Sequence, residues 1–165
     1  MNYKKQHIET LILACQRNDQ KAQMELYQRY NKKLFYSAYR IVKNTEDALD
    51  AVQEGFITAF QKLGQYQASG SFEGWLHKIV VRKSIHYYQK NSRYSHDDAL
   101  ENQLELSESP LETEDRGWNL EAGQLDDALS QLNERYQLIL KLYYLEGFDH
   151  EEISEITQWS AANCR

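Results

Sequence analysis

Asn44-Thr45-Glu46-Asp47-Ala48-Leu49-Asp50-Ala51-Val52-Gln53-Glu54-Gly55-Phe56-Ile57 opens a helix and displays two faces at once. Asn44 or Thr45 supplies the side-chain oxygen that a helix start needs. Glu46 and Asp47 then place negative charge in the first turn, where unpaired N–H groups favour it. Continued to Leu63, the apolar residues Leu49, Val52, Phe56, Phe60 and Leu63 recur at the spacing of one inward stripe. Beside that stripe, Asp47, Asp50, Gln53 and Glu54 share a face, because side chains three and four residues apart meet on a helix. By spacing alone this acidic and amide face is either ordinary solvated surface or a contact for a partner with a basic surface.

The flanking segments carry the same 3.6-residue period. Upstream, Asp19 is placed to cap a helix bearing Ala22, Leu26, Tyr30, Leu34 and Ala38, and a short helix precedes it over residues 7–16. Downstream comes a turn-rich break from Gly64 to Ser71. Ser71 then caps a fourth helix running from Phe72 to about Lys90, with Leu76, Ile79 and Val80 inward. From about Ser92 to Gly123 the periodicity fails, and the stretch reads as a flexible acidic linker. It returns at Leu125, with Leu129, Leu132, Tyr136, Ile139, Leu140 and Tyr143 as the expected inner residues. Gly147 is a helix stop. Asp149 with Glu152 fits a capping box, and Ile153 and Ile156 form the inner face of the helix that follows. Trp159 sits in a turn before Ser160, which can cap one more helix. Two short helices joined this way are a helix-turn-helix signal.

With one proline and seven glycines in 165 residues, little interrupts helices. The expected fold is therefore all-α, with two small helical domains: an N-terminal bundle over 1–93, the acidic linker over 94–124 and a helix-turn-helix domain over 125–165. No apolar run approaches the ~18 residues of a membrane span. The polar start and the broken Leu11–Cys15 run give no signal-peptide core. A cytoplasmic protein without stable membrane insertion is expected. Cys15 and Cys164 lie at opposite ends with no metal-ligand spacing and read as free thiols.

The net charge of −6 conceals a division. Residues 1–96 carry 15 Lys and Arg against 8 Asp and Glu; residues 97–125 carry 1 against 9; residues 126–165 carry 3 against 8. Exposed charges are screened over about 8 Å at physiological salt, so local sign outweighs the total. The positive half holds Lys78, Arg82, His86 and Arg93 roughly on one helix face, with Lys83 and Lys90 alongside and Trp75, Tyr87 and Tyr88 interleaved. Cations neutralise phosphates and flat rings stack on unpaired bases; the same spacing also suits a solvated basic face over core aromatics. The turn Tyr66-Gln67-Ala68-Ser69-Gly70-Ser71-Phe72 is either a plain connection or a pocket for one extruded base.

Catalytic readings do not assemble. His150-Glu151 begins a zinc-protease pattern, but Ser154 occupies the second ligand position. Glu73 and His77 have no second pair to complete a di-metal site. There is no phosphate-cradling glycine loop. No catalytic residue, metal or cofactor is expected, and the protein reads as no enzyme. A conventional helix-turn-helix regulator with an N-terminal sensing or dimerisation domain is the alternative.

Two blocks of the chain resemble the extracytoplasmic-function (ECF) class of the sigma-70 family. The first is the 44–57 stretch followed by Phe72-Glu73-Gly74-Trp75-Leu76-His77-Lys78-Ile79, similar to the family's second region. The second is Ala128-Leu129-Ser130-Gln131-Leu132-Asn133-Glu134-Arg135 followed by residues 144–156, similar to its fourth region. The resemblance implies an alternative sigma factor that binds core RNA polymerase, recognises promoters and opens them. On that footing Asp47, Asp50, Gln53, Glu54 and Phe56 dock on the clamp helices of the polymerase's largest subunit, and the C-terminal domain docks on its flap. Tyr66, Ser69, Gly70, Ser71, Phe72, Trp75, Lys78, Arg82, Lys83, His86, Lys90 and Arg93 engage the −10 element, including the non-template single strand. Ser160, Ala161, Asn163 and Arg165 read the −35 duplex. The acidic linker threads the RNA channel, and an anti-sigma factor is a further partner of a kind the family often has. The sequence departs from the family in an arginine-poor end to the fourth helix and in Gln158 where glycine is common. Its end at Arg165, early in the recognition helix, leads to the expectation of a truncated −35 surface.

Overall fold

The structure, a computed structural model, describes residue 3, residues 6–68, 70–97, 127 and 129–164. The chain divides into two compact units, Met1–Ser92 and Arg93–Arg165. Every regular element among the described residues is helical.

In the first unit, α1 (Ile8–Gln16) turns into α2 (Gln20–Val42) at Asp19, whose carboxylate accepts the Lys21 and Ala22 N–H groups and caps α2. Asp19 also accepts the Tyr3 hydroxyl at 2.8 Å, and the Arg29 guanidinium donates to the carbonyls of Tyr3 and Gln6, so the N-terminal segment is tied to α2. α3 (Thr45–Lys62) starts under an Asn44 cap that accepts the Asp47 N–H. A 3-10 turn, Leu63–Gln65, leads to the loop before α4 (Phe72–Asp97). The core joins all four helices through Leu11, Leu26, Leu34, Val52, Phe56, Leu63, Leu76 and Val80.

Two expectations change here. Leu49, taken as an inward residue of α3, is 44% exposed, and the buried face consists of Ala48, Ala51, Val52, Gly55, Phe56 and Ala59. Small side chains let the neighbouring helices approach, which rotates α3 away from the face its large residues would choose. The approach is closest at Gly55, where a Cβ would lie 2.5 Å from Val80 Cγ2 on α4. α4 itself runs to Asp97, beyond its expected end near Lys90 and into the start of the supposed linker. The remainder of that linker, 98–124, lies outside the described residues.

In the second unit, α5 (Glu134–Leu140) is capped by Asn133 and widens into a π-helical turn, Lys141–Leu145. It ends at Gly147, whose φ of +75° only glycine adopts freely. α6 (His150–Thr157) carries the Asp149–Glu152 capping box, and α7 (Ala161–Cys164) follows a turn at Gln158. The expected continuous helix from Leu125 is interrupted: residues 131–133 form a turn that Gln137 Nε2 braces by donating to the Leu132 carbonyl at 2.8 Å. The break resets the helical phase. Leu132, Tyr136 and Tyr143, expected inside, are exposed, while Leu138, Ile139 and Leu142 are buried with Leu129, Phe148, Ile153 and Thr157.

Candidate functional site

The start of α4 gathers four aromatic rings. Ser71 Oγ accepts the Gly74 N–H at 3.0 Å and fixes the helix entry. Phe72, 5% exposed, is the floor on which the others pack. Tyr66 meets it edge-on with centroids 5.6 Å apart, Trp75 also lies 5.6 Å away, and Tyr30 reaches it from α2 at 6.0 Å. Tyr66 and Trp75 also touch, at 5.3 Å. The Tyr66 hydroxyl donates to the Gly70 carbonyl at 2.8 Å, closing the 66–70 loop over its own ring. Inside that loop Ala68 adopts a left-handed φ of +53°. Half-exposed rings beside a pinned loop offer flat faces for an unpaired base. Ser69 lies outside the described residues.

Beyond this cluster, Lys78, Arg82, His86 and Lys90 are all exposed and follow one another at four-residue spacing, a single cationic line along α4. Lys83 does not join them. Its ammonium lies 3.3 Å from Glu54 Oε2, and Tyr87 donates to Glu54 Oε1 at 2.6 Å. That hydrogen bond holds the Glu54 carboxyl below its ordinary range and, with burial, pushes the Tyr87 phenol up to about 12. Asn91 Nδ2 donates to Asp47 at 2.6 Å. Part of the acidic face of α3 is thus engaged by α4 within the same unit. The side chain of Arg93 lies outside the described set.

On α3, Asp50 and Gln53 remain exposed. Phe56 does not belong to that surface: at 3% exposure, with its ring 4.9 Å from that of Tyr27, it is a core residue whose part is to seat the helix. In its place stand Leu49 and Ile57, 44% and 56% exposed, which with Asp50 and Gln53 make a mixed apolar and polar ridge. Sequence reasoning read Leu49 as core and gave Ile57 no role; the small residues Ala48, Ala51, Gly55 and Ala59 on the opposite side were the signal that could have revealed them.

In the second unit, the turn before α7 is locked from three directions. Ser154 Oγ donates to the Trp159 carbonyl at 2.6 Å, the Trp159 N–H donates to Thr157 Oγ1 at 3.3 Å, and the Arg135 guanidinium lies 4.7 Å from the centre of the Trp159 ring. Gln158 takes the left-handed φ of +61° for which glycine is the less strained choice. Ser160 and Ala161 are exposed just past the turn. Arg165 and the side chain of Asn163 lie outside the described residues. Tyr136, Tyr144 and Leu145 present exposed apolar surface that the sequence reading had placed inward or passed over. Among the described residues, no group of three His, Cys, Asp or Glu residues could hold a metal ion, and no helix is long and apolar enough to cross a membrane.

Comparison with known proteins agrees with this arrangement. Residues 26–94 match the family model for Sigma-70 region 2, and residues 122–165 match that for Sigma-70, region 4. The chain is 31% identical over 157 residues to the RNA polymerase sigma factor SigV of Bacillus subtilis, covering 93% of this chain and 82% of that protein. It is 30% identical over 159 residues to the ECF RNA polymerase sigma-E factor of Salmonella typhimurium, covering 90% and 81%. Among solved structures, the fold is similar to that of the sigma factor RpoE in complex with the anti-sigma factor NepR from Bartonella quintana. That match has a TM-score of 0.54 at 16% identity over 86% of each chain. It is also similar to CnrH in complex with the cytosolic domain of CnrY, with a TM-score of 0.51 at 19% identity over 94% of this chain and 85% of that one. With both regions present in order and relatives matched over most of their length, the chain belongs to the sigma-70 family of RNA polymerase sigma factors, in its extracytoplasmic-function class.

Proposed function

We propose that this chain is an alternative sigma factor that binds core RNA polymerase, selects promoters and opens the DNA, with work divided among three surfaces. The ridge of Leu49, Asp50, Gln53 and Ile57 on α3 docks on the clamp helices of the largest subunit, while Asp47 and Glu54 contribute mainly by holding α4. The cluster of Tyr66, Phe72 and Trp75, with the loop from Ser69 to Ser71, captures an extruded non-template base of the −10 element. The line Lys78, Arg82, His86 and Lys90, with Lys83 and Arg93 beside it, follows the phosphates of the adjoining DNA. Ser160, Ala161, Asn163 and Arg165 face the −35 duplex, and the exposed Tyr136, Tyr144 and Leu145 suit the polymerase flap. These roles belong to a region 2 domain over 1–93 and a region 4 domain over 125–165, joined by an acidic linker over 94–124.

Strand opening on this reading needs no bond-making chemistry. Unpairing a base costs a few kcal/mol. Stacking on aromatic side chains returns about 1–3 kcal/mol per base, so capture offsets melting without nucleotide hydrolysis. The protein therefore acts as a binding subunit in the cytoplasm rather than as an enzyme. RpoE is bound by an anti-sigma factor in the solved complex, and an anti-sigma partner is proposed here by that likeness.

The single observation that carries this reading is the closed aromatic loop at the head of a cationic helix, standing in the same unit as the exposed α3 ridge. The test is initiation in vitro: core polymerase with this chain, against core alone, on a library of upstream sequences. A defined set of start sites that depends on the chain, and is lost with Trp75→Ala, is the expected result. A chain that binds duplex DNA as a dimer and alters transcription only by a holoenzyme already carrying another sigma factor would favour the conventional regulator.

A further inference from the structure

α2 carries a second aromatic and basic surface that none of the three working surfaces uses. Between Leu26 and Thr45 the chain has five cations and no carboxylate. Tyr36 and Tyr39 are 38% and 40% exposed on the side of α2 opposite its buried residues Leu26, Leu34, Ala38 and Ile41. Phe35 lies between them, near-parallel to Tyr39 at 6.0 Å and edge-on to Tyr36 at 5.8 Å. Lys32 and Lys43 are exposed at the two ends of this patch, with Arg40 beside it. Core packing does not account for two tyrosines on the solvent side of a helix.

A row of residues on α2 leads from the base-capture cluster round to the patch. Tyr30, Lys33, Tyr36 and Tyr39 follow one another at three-residue spacing, a ridge that turns half-way round α2 between Tyr30 and Tyr39. Tyr30 sits at its head, packed 6.0 Å from Phe72, and Lys33 pairs with Glu73. At 1.5 Å per residue, Tyr36 and Tyr39 stand about 9 and 14 Å further along α2.

We propose that the Tyr36–Tyr39 face of α2, flanked by Lys32, Arg40 and Lys43, is a second binding surface for single-stranded DNA, receiving nucleotides that lie further along the strand from the captured base. The inference rests on the base-capture reading given above and extends it to a path. Single-stranded rather than duplex DNA is the occupant because ring faces add nothing to a paired helix, whereas each unpaired base has a face to stack. Cations at both ends of the aromatic patch suit a strand whose phosphates run past its stacked bases.

The experiment titrates fluorescent oligodeoxynucleotides into the 165-residue chain at low salt, using a 6-mer, a 14-mer and a 14-base-pair duplex of the same sequence. Four versions are compared: wild type, Tyr36→Ser with Tyr39→Ser, Lys32→Gln with Lys43→Gln, and Trp75→Ala. The expected result is that the tyrosine pair lowers 14-mer affinity at least tenfold while changing 6-mer and duplex binding less than twofold. The lysine pair should reduce the log–log salt slope for the 14-mer by about 1.4, the value for two single-strand phosphate contacts. Helicity by circular dichroism verifies that each variant is folded. Unchanged 14-mer affinity in the tyrosine pair, with Trp75→Ala still impaired, overturns the α2 surface and leaves base capture standing. Loss of affinity for core polymerase with unchanged 14-mer binding makes the patch a protein contact and overturns the proposal equally. A wild type that binds no single strand removes the base-capture reading and this extension together.

Discussion

Gly55→Ala is expected to destabilise the first unit, although in an ordinary helix it would stabilise. Alanine is favoured over glycine in a helix interior by about 1 kcal/mol. At this position, however, the added Cβ lies 2.5 Å from Val80 Cγ2, 3.3 Å from Val80 Cα and 3.4 Å from Val80 Cβ. Carbon atoms settle at about 3.5–4.0 Å, so the closest pair overlaps by roughly 1 Å. Val80 is β-branched and in a helix holds one rotamer about nine times in ten, so Cγ2 has no free swing, and the short approach to Cα requires α3 and α4 to part. Overpacking of this kind costs about 1–3 kcal/mol. With the overlap at the severe end of that range and the propensity gain subtracted, the net cost is about 1–2 kcal/mol. Val80→Ala alone removes two buried methyl groups, about 0.8 kcal/mol each by transfer, plus the void they leave. In the double variant the methyl introduced by Gly55→Ala moves into the space of Cγ2, so the combined cost falls below the sum of the single costs by about 2 kcal/mol. Denaturant unfolding of the four versions, followed by far-ultraviolet circular dichroism and by tryptophan fluorescence in a background carrying Trp118→Phe and Trp159→Phe, which leaves Trp75 to report on the first unit, measures that coupling. A Gly55→Ala protein more stable than wild type, or strictly additive single costs, would refute the close-approach argument.

Glu54→Gln tests the junction between α3 and α4. The Tyr87 hydrogen bond holds the Glu54 carboxyl below its ordinary value of 4.5, so its stabilisation is present above that value and is lost as pH falls through the depressed folded value. Wild type is expected to lose more stability than Glu54→Gln between pH 5 and 2.5 in thermal melts, and parallel curves would count against the junction. Burial first, and then Asp19, pushes the Cys15 thiol up to about 11; iodoacetamide at pH 8 is expected to leave Cys15 unmodified in the folded chain and to label it in denaturant, as read by peptide mass spectrometry. Gln158→Gly relieves a left-handed backbone, and because that conformation costs an L-residue about 1–2 kcal/mol, it is expected to stabilise the second unit by about 1 kcal/mol. A lower midpoint would mean that the hydrogen bond from Gln158 Nε2 to the Glu155 carbonyl outweighs the strain.

What the amino-acid sequence showed plainly was local chemistry. The caps at Asp19, Asn44, Ser71 and Asp149 are decided within three residues of themselves, and each forms the expected hydrogen bonds. The exposed run Lys78, Arg82 and His86 on α4 was legible for the same reason, since it depends only on helical spacing. Part of what failed depended on neighbours distant in the chain, and part on a local break. Leu49 and Phe56 fit one apolar stripe equally well, and only the approach of the other helices, permitted by Ala48, Ala51, Gly55 and Ala59, turns one outward and buries the other. Leu132, Tyr136 and Tyr143 were misplaced because a period carried across residues 131–133 ignores the phase reset at the Asn133 cap. Lys83 and Glu54 were assigned to different partners because sequence separation hid that they face each other.

That last pairing bears on how the proposed docking and melting surfaces are related. α3 offers Leu49, Asp50, Gln53 and Ile57 outward, while its other sides meet α4 at the Gly55–Val80 approach, at Glu54 with Tyr87 and Lys83, and at Asp47 with Asn91. The contacts extend from Asp47 to Gly55, more than two turns of α3. A helix pair held so closely at Gly55 and Val80, and hydrogen-bonded from there along one direction at Glu54 and Asp47, resists both sliding and rotation, because each motion breaks at least one contact. The aromatic cluster at the head of α4 and the ridge on α3 are therefore held at a fixed spacing within the first unit. Docking of the ridge would set the position of the aromatic loop without any rearrangement of the unit. The small residues that made α3 hard to read from its sequence are those that allow this close pairing.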